Sequence, residues 1–349
     1  MKVLIQAGKA ISFQEVGRAI AKVLERKNFA VLLHRQYPSF YKLNKYCDAL
    51  IVINLVSPLW SLTYFNLYLK GKNELKGRAV FYGIADGIPK KVMFPLWVFY
   101  NIEFVANSQY SKKCLEKAGF KVLEVVPHGV DLEEVQLART LSEEYRKRLS
   151  KDFSNKVIFG FVSNYLPRKG IDELVTACDL LYSKRKDFVV LFITGEGAKA
   201  KLKGKPWAYF VSPFGSREHV EILGFLGAID YLAYSAKCDS FGLPILEAMA
   251  MKTPVIHVHA EPYVEFSSNK FNITFPYERE SLRDLGDGIH YIFHEYNPQE
   301  LANAMDYAID IYLNNKSLYE DMKVKAYEKA KEFEIDKVYT SFIKYITRE

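Results

Sequence analysis

The chain has 349 residues, 49% of them hydrophobic and 26% charged, which is the composition of a folded, water-soluble protein with length for about two domains. A disordered chain and a disulfide-stapled miniprotein are both excluded. The formal net charge of +7 is uneven: residues 1–150 hold 23 Lys/Arg against 13 Asp/Glu, or +10, which leaves −3 for the remainder. A basic first half suits an anionic acceptor, a membrane surface or nucleic acid, or it is only a solubilising lysine-rich face. Cys47, Cys114, Cys178 and Cys238 form no C-x-x-C pair, so neither a zinc knuckle nor a redox dithiol is indicated and a reducing interior is expected. No signal-peptide core precedes the strand-like run at 1–7, and the longest apolar run, 92–100, contains Pro95 and is about half of a bilayer crossing. The expectation is a cytoplasmic protein that does not span a membrane.

In chain order, short apolar runs at 3–6, 30–34, 49–55, 79–84, 104–107 and 122–126 read as strands. Ser12-Phe13-Gln14-Glu15 has the form of a capping box opening a helix to about Lys27, and Ser108 similarly opens one to Lys117 with Gly119 as its stop. Strand-then-helix alternation predicts a parallel sheet covered on both faces. Residues 130–155 are rich in Glu, Lys and Arg and read as a charged helical linker. A second series follows: strands at 157–162, 189–194, 209–211, 231–234 and 255–258, helices near 172–183 and 244–251, then amphipathic helices at 297–313 and 318–333. The fold class expected is α/β, two doubly wound Rossmann-like domains facing a cleft, with ligands beyond the carboxyl ends of the strands. The boundaries expected are 1–135 for an acceptor-side domain, 136–155 for the linker, 156–330 for a nucleotide-sugar-binding domain, and 331–349 for a helix packing back on the first domain.

The loops after the strands carry the chemistry. In Asp239-Ser240-Phe241-Gly242-Leu243-Pro244-Ile245-Leu246-Glu247, Gly242 lets the backbone approach a ligand and Pro244 suits the first turn of a helix, whose positive end favours phosphate or hydroxyl groups. Asp239 precedes that helix and Glu247 lies about one turn inside it. The stretch resembles the donor-site signature of glycosyltransferase family 4, an E-x7-E pattern around a Gly-Phe-Gly-Leu-Pro loop. Asp239 takes the first acidic position one methylene short, and Ser240 stands where the family has glycine.

Ser163-Asn164-Tyr165-Leu166-Pro167-Arg168-Lys169-Gly170 resembles the same family's Gly-Arg…Lys-Gly loop, with Lys169 at the lysine that meets the donor diphosphate. Asn164 falls where the family carries arginine, and Arg168 is the substitute cation. Gly195 lies in a Gly-x-Gly turn after a strand, as in the family. Ala106-Asn107-Ser108 and Pro127-His128-Gly129-Val130-Asp131 match further segments, with His128 in place of asparagine. Gly8, after the first strand, is where such folds bring amides towards the diphosphate. The family's histidine near the transferred sugar has no match, and Asp86 is the polar substitute.

The resemblance implies a GT-B fold and a retaining hexosyltransferase-like enzyme. The catalytic candidates are Asp239, Lys169, Arg168 and Asp86. The donor-binding candidates are Glu247 at the ribose, with Phe241, Gly242, Leu243, Asn164, Gly195 and Gly8. No D-x-D triplet occurs, so a metal-free donor site is expected, with no cofactor because the nucleotide-sugar is itself the substrate. His257 and His259 alternate on a predicted strand without a third ligand, and His290 and His294 add no metal pattern.

The acceptor expected is a lipid, glycan or protein. Aromatic and basic residues mingle at 60–76 and 90–100, a face suited to peripheral contact with the inner membrane surface or, equally, to core rings beside surface lysines. Nucleic-acid binding has only the charge behind it. A glycosyltransferase-like protein that binds nucleotide or glycan without turnover is the alternative. A glycosidase using Asp239 and Glu247 is a third reading, which the phosphate-side lysine opposes.

Overall fold

The computed structural model describes residues 1–34, 47–58, 79–94 and 101–347. The first half forms a parallel sheet from β1 (Lys2–Ala7), β2 (Ala30–His34), β3 (Ala49–Leu55), β4 (Ala79–Ile84), β6 (Glu103–Ala106) and β7 (Lys121–Val125), ordered β2-β1-β3-β4-β6-β7. Helix α1 (Ile11–Arg26) connects β1 to β2, and α2 (Gln109–Lys117) connects β6 to β7. Ser108 caps α2, its Oγ accepting from the Ser111 amide at 2.9 Å, and Gly119 sits beyond the end at φ 92°.

Helix α3 (Leu132–Asp152), capped by Asp131, leads to the second parallel sheet. Its strands are β8 (Val157–Ser163), β9 (Phe188–Thr194), β10 (Ala208–Pro213), β11 (Tyr231–Tyr234), β12 (Val255–Val258) and β13 (Ile273–Phe275), ordered β10-β9-β8-β11-β12-β13. All seven residues of β8 and all seven of β9 are buried, as strands covered on both faces must be. The connecting helices are α4 (Ile171–Lys184), α5 (Lys199–Leu202), α6 (His219–Ala228) and α7 (Leu243–Ala250); α8 (Pro298–Asn314) and α9 (Lys316–Ala330) follow. Two doubly wound α/β halves therefore face each other, as expected.

The end of the chain returns to the first half. Ile335, Tyr339, Phe342 and Ile346, from α10 (Ile335–Tyr339) to α11 (Ile343–Ile346), are fully buried with Val3, Ile5 and Ile20. At about 1.5–3 kcal/mol for each large side chain buried, these four contribute on the order of 6–12 kcal/mol to holding that segment down. Where it crosses, Val130 bridges to Glu334 and the Gly129 amide donates to Tyr339 Oη at 2.8 Å.

A third sheet ties the halves together. Antiparallel β14 (Arg279–Asp284) and β15 (Ile289–Glu295) continue onto β5 (Gly87–Pro89) of the first half. Gly87 is required there, since a Cβ would lie 2.4 Å from the His290 carbonyl oxygen. Ser57 Oγ also donates to the Asp287 carbonyl at 2.7 Å.

Several local expectations are corrected. Ser12 lies inside α1, which begins one residue earlier after Ala10 without a side-chain cap. Gln14 instead turns its amide back to the carbonyls of Ala7 and Gly8. His257 is buried on β12 against Ser267 at 2.7 Å, whereas His259 lies past the strand and is exposed. The aromatic and basic residues at 60–76 and 95–100 lie outside the described residues.

Candidate functional site

The short turn Pro167–Lys169 after β8 is fixed before any ligand arrives. Gly170 at φ 66° lets it pass so close to β11 that a Cβ would sit 2.0 Å from the Ser235 carbonyl oxygen. The Lys237 amide donates to the Arg168 carbonyl at 2.9 Å, and Ser235 Oγ donates to that of Lys169 at 3.0 Å. The two cations are thereby held under the loop before α7. Lys169 Nζ lies 2.5 Å from Asp239 Oδ2, and Arg168 reaches Asp239 at 3.7 Å, Asp86 of the first half at 3.1 Å, and the Cys238 carbonyl at 3.2 Å. Tyr234 Oη donates to the same Asp239 oxygen.

Burial would raise the Asp239 carboxyl, but Lys169 and Arg168 overcome it and hold the group well below the ordinary carboxylate range. Asp86 goes the other way: burial lifts it, and Arg168 recovers only part. For Lys169, burial and the neighbouring guanidinium lower the ammonium despite the pull of Asp239. The cluster is two cations and two carboxylates, each largely buried in the cleft, where a charge interacts more strongly than in bulk water.

Asp86, Arg168, Lys169, Asp239, Phe241, Gly242, Leu243 and Asn164 all line one cavity of about 500 Å³ between the halves. Ile11 and Phe13 of α1 and Phe214 after β10 close its other side. Phe241 commits its ring to a stack on Phe266, with centroids 4.7 Å apart. Gly242 at φ 93° opens α7, and Pro244 in the first turn has no amide to give. Ile245 returns its amide to the Gly242 carbonyl. Asn164 spends its side-chain oxygen on the Tyr165 amide at 2.8 Å.

Three candidates stand elsewhere. Glu247 lines an adjoining cavity of about 230 Å³ with Leu243 common to both, so it and Lys169 do not share one hollow. Gly195 packs beneath Tyr165, and Gly8 packs against Phe13 and Asn54. Neither glycine is among the residues lining the two cavities.

Two further residues belong to the picture. His128 lines the main cavity, but both ring nitrogens are taken, Nδ1 by Tyr82 Oη at 3.0 Å and Nε2 by Asn107 at 3.2 Å. Burial pushes it down to about 3, so it is a neutral wall and not a proton carrier. Only its substitution for asparagine in the sequence singled it out. Ser240, in the family's glycine position, is where the first half grips the loop: Ser108 Oγ donates to its carbonyl at 2.6 Å and Asn107 donates to its hydroxyl at 3.3 Å.

Against this geometry stand the likenesses to known proteins. The family described as glycosyl transferases group 1 matches residues 142–329, more than half of the chain and all of the loops just described from its second half. The chain belongs to that family. This glycosyltransferase is 29% identical over 347 residues to the uncharacterized glycosyltransferase 335 of Sulfolobus islandicus rod-shaped virus 1, covering 98% of this chain and 100% of that one. Its fold is similar to a glycosyltransferase from Rickettsia africae ESF-5, with TM-score 0.68, 18% identity, and 98% and 96% of the two chains covered. It is also similar to Anabaena Alr3699/HepE in complex with UDP-glucose, with TM-score 0.69, 16% identity, and 98% of each chain covered. The GT-B architecture follows from these likenesses. Among the described residues no helix is long and apolar enough to cross a membrane.

Proposed function

We propose that this glycosyltransferase moves a sugar from a nucleotide-diphosphate-sugar to an acceptor hydroxyl in the manner of family 4, with retention of anomeric configuration and without a metal or cofactor. The donor half is 156–330 and the acceptor half 1–135. The observation that carries the reading is the pair of fixed cations, Lys169 and Arg168, under the opening of α7 in a buried cleft between the halves.

When the bond from the anomeric carbon to the phosphate oxygen breaks, the electron pair goes to the departing diphosphate. A preorganised Lys or Arg stabilises that charge most where water is scarce. The acceptor oxygen bonds to the anomeric carbon on the same face, and its proton passes to the leaving phosphate oxygen. Asp239, held ionised, serves the sugar hydroxyls; Asp86 approaches from the first half; Glu247 serves the ribose. The Anabaena neighbour's complex with UDP-glucose makes a uridine donor the first to try. The cytoplasm is the compartment proposed, and the acceptor a lipid, glycan or protein, with the basic first half suited to peripheral contact with an anionic membrane.

A silent nucleotide-binding protein is the second reading, favoured by Asn164 without a charge and by His128 with both nitrogens engaged. Release of nucleoside diphosphate from a panel of nucleotide-sugars separates them. Turnover that falls with Lys169→Ala supports transfer, whereas a melting shift with nucleotide but no release supports the silent protein. No response to any nucleotide would overturn both.

A further inference from the structure

The cavity beside the donor cleft holds a histidine that no motif pointed to. His219 is the first residue of α6, whose start is pinned by reciprocal Glu218 and Glu221 bonds. Its Nδ1 lies 2.9 Å from Glu134 on α3, and its Nε2 lies 2.9 Å from Glu247 Oε1 on α7. Carboxylates only accept hydrogen bonds, so a ring bonded to one at each nitrogen must carry a proton on both. We propose that His219 is a positioning residue for the donor, its imidazolium holding the Glu247 carboxylate at the cleft edge so that the other oxygen faces the nucleoside end. The inference rests on the donor reading above.

The two cavities adjoin through α7. Leu243 borders both cavities, and Glu247 follows it by four residues, about 6 Å along the axis of α7. The charged groups around the histidine come from three elements: Glu15, Arg18 and Lys22 from α1, Asp131 and Glu134 at the start of α3, and Glu247 from α7. Burial lowers the imidazolium, but Glu247 and Glu134 together lift it well above its ordinary value. Burial likewise lifts the Glu15 carboxyl, which faces the same ring across the cleft. Loss of the proton would leave one N–H to serve two carboxylates and set a bare ring nitrogen against the other, loosening the hold on the Glu247–Glu134 pair.

Binding of UDP to the full chain, measured by calorimetry from pH 6 to 10, tests this with Lys169→Ala as the reference. His219→Gln is expected to weaken UDP about tenfold at pH 7, a charge-assisted bond replaced by a neutral one, and to remove the part of the alkaline loss of affinity that belongs to the histidine. Glu134→Gln, which removes one of the two carboxylates that keep the ring charged, is expected to move that loss to lower pH. A thermal melt near that of the unaltered protein confirms that each variant is folded. If Lys169→Ala weakens UDP while His219→Gln and Glu134→Gln leave affinity and pH profile unchanged, the positioning role is wrong and the donor reading stands. If Lys169→Ala also binds UDP normally, the donor reading itself fails.

Discussion

Lys169 has two jobs that one variant cannot separate: it neutralises Asp239 and, on the reading above, meets a diphosphate. Lys169→Met keeps the length and removes the charge. Asp239 then retains Tyr234, the Ser240 amide at 3.0 Å and Arg168 at 3.7 Å. The cost should therefore be about 1–2 kcal/mol, below the ~3–5 kcal/mol of a buried pair left with no compensation. At roughly 1–2 °C per kcal/mol for a chain of this length this lowers the melting temperature by about 1–4 °C. Affinity for UDP should fall more, by about 2–3 kcal/mol or roughly 30–150-fold, because the contact is charge-assisted and the lysine is largely buried. Adding Asp239→Asn removes the stranded carboxylate, so the double variant should melt within about 1 kcal/mol of the parent while UDP stays weak. UDP is the ligand of choice because it lacks the sugar assigned to Asp239. Recovery of UDP affinity together with stability would refute the argument, since the lysine would then serve only to neutralise its neighbour.

Gly87→Ala should separate β5 from β15, because the new Cβ meets the His290 carbonyl oxygen at 2.4 Å and Tyr291 Cα at 2.7 Å. A loss of about 1–3 kcal/mol is expected by denaturant unfolding, with the parallel sheets intact by circular dichroism. Glu265→Ala removes the carboxylate that accepts the amides of Gln109 and Tyr110 at 2.8 Å each. About 1–2 kcal/mol should be lost, as for a helix cap. The folded imidazolium of His219 lies above its unfolded value near 6.5. Its stabilisation is complete below that pH and disappears as pH rises through the folded value. The melting temperature of the parent should thus approach that of His219→Gln at high pH.

Legibility in the sequence followed burial. Strands β8 and β9 are apolar along their whole length because both faces are covered, and such runs are plain to read. Strand β14, Arg-Glu-Ser-Leu-Arg-Asp, is solvated at five of six positions and is held by backbone pairing to β15, so no hydrophobic period marks it. Lys169 and Asp239, which the structure brings together, could be singled out as candidates because each sits within one loop whose local pattern is complete; Glu247, from the same motif, lines the adjoining cavity instead. His219 could not be singled out, since nothing in residues 134, 219 and 247 relates them until α3, α6 and α7 pack. The capping box at Ser12 failed for a local reason: the Gln14 amide found the carbonyls that end β1.

The ion pairs in the cleft can be exchanged without opening the halves. Arg168 is tied to Asp86 across the cleft at 3.1 Å, yet the halves are also joined by Ser108 to Ser240, by Glu265 to the start of α2, and by β5 to β15. None of these contacts uses a cation of the cluster. A diphosphate that takes over Lys169 and Arg168 would leave two buried carboxylates without their cations, a cost that must be relieved. Asp86 is the group prepared for that, because burial already favours its neutral form whereas Asp239 stays ionised. On the transfer reading, donor binding is then accompanied by proton uptake at Asp86, and its affinity should decline as pH rises. Replacing Asp86 with asparagine should remove that component of the pH dependence and leave the one belonging to His219.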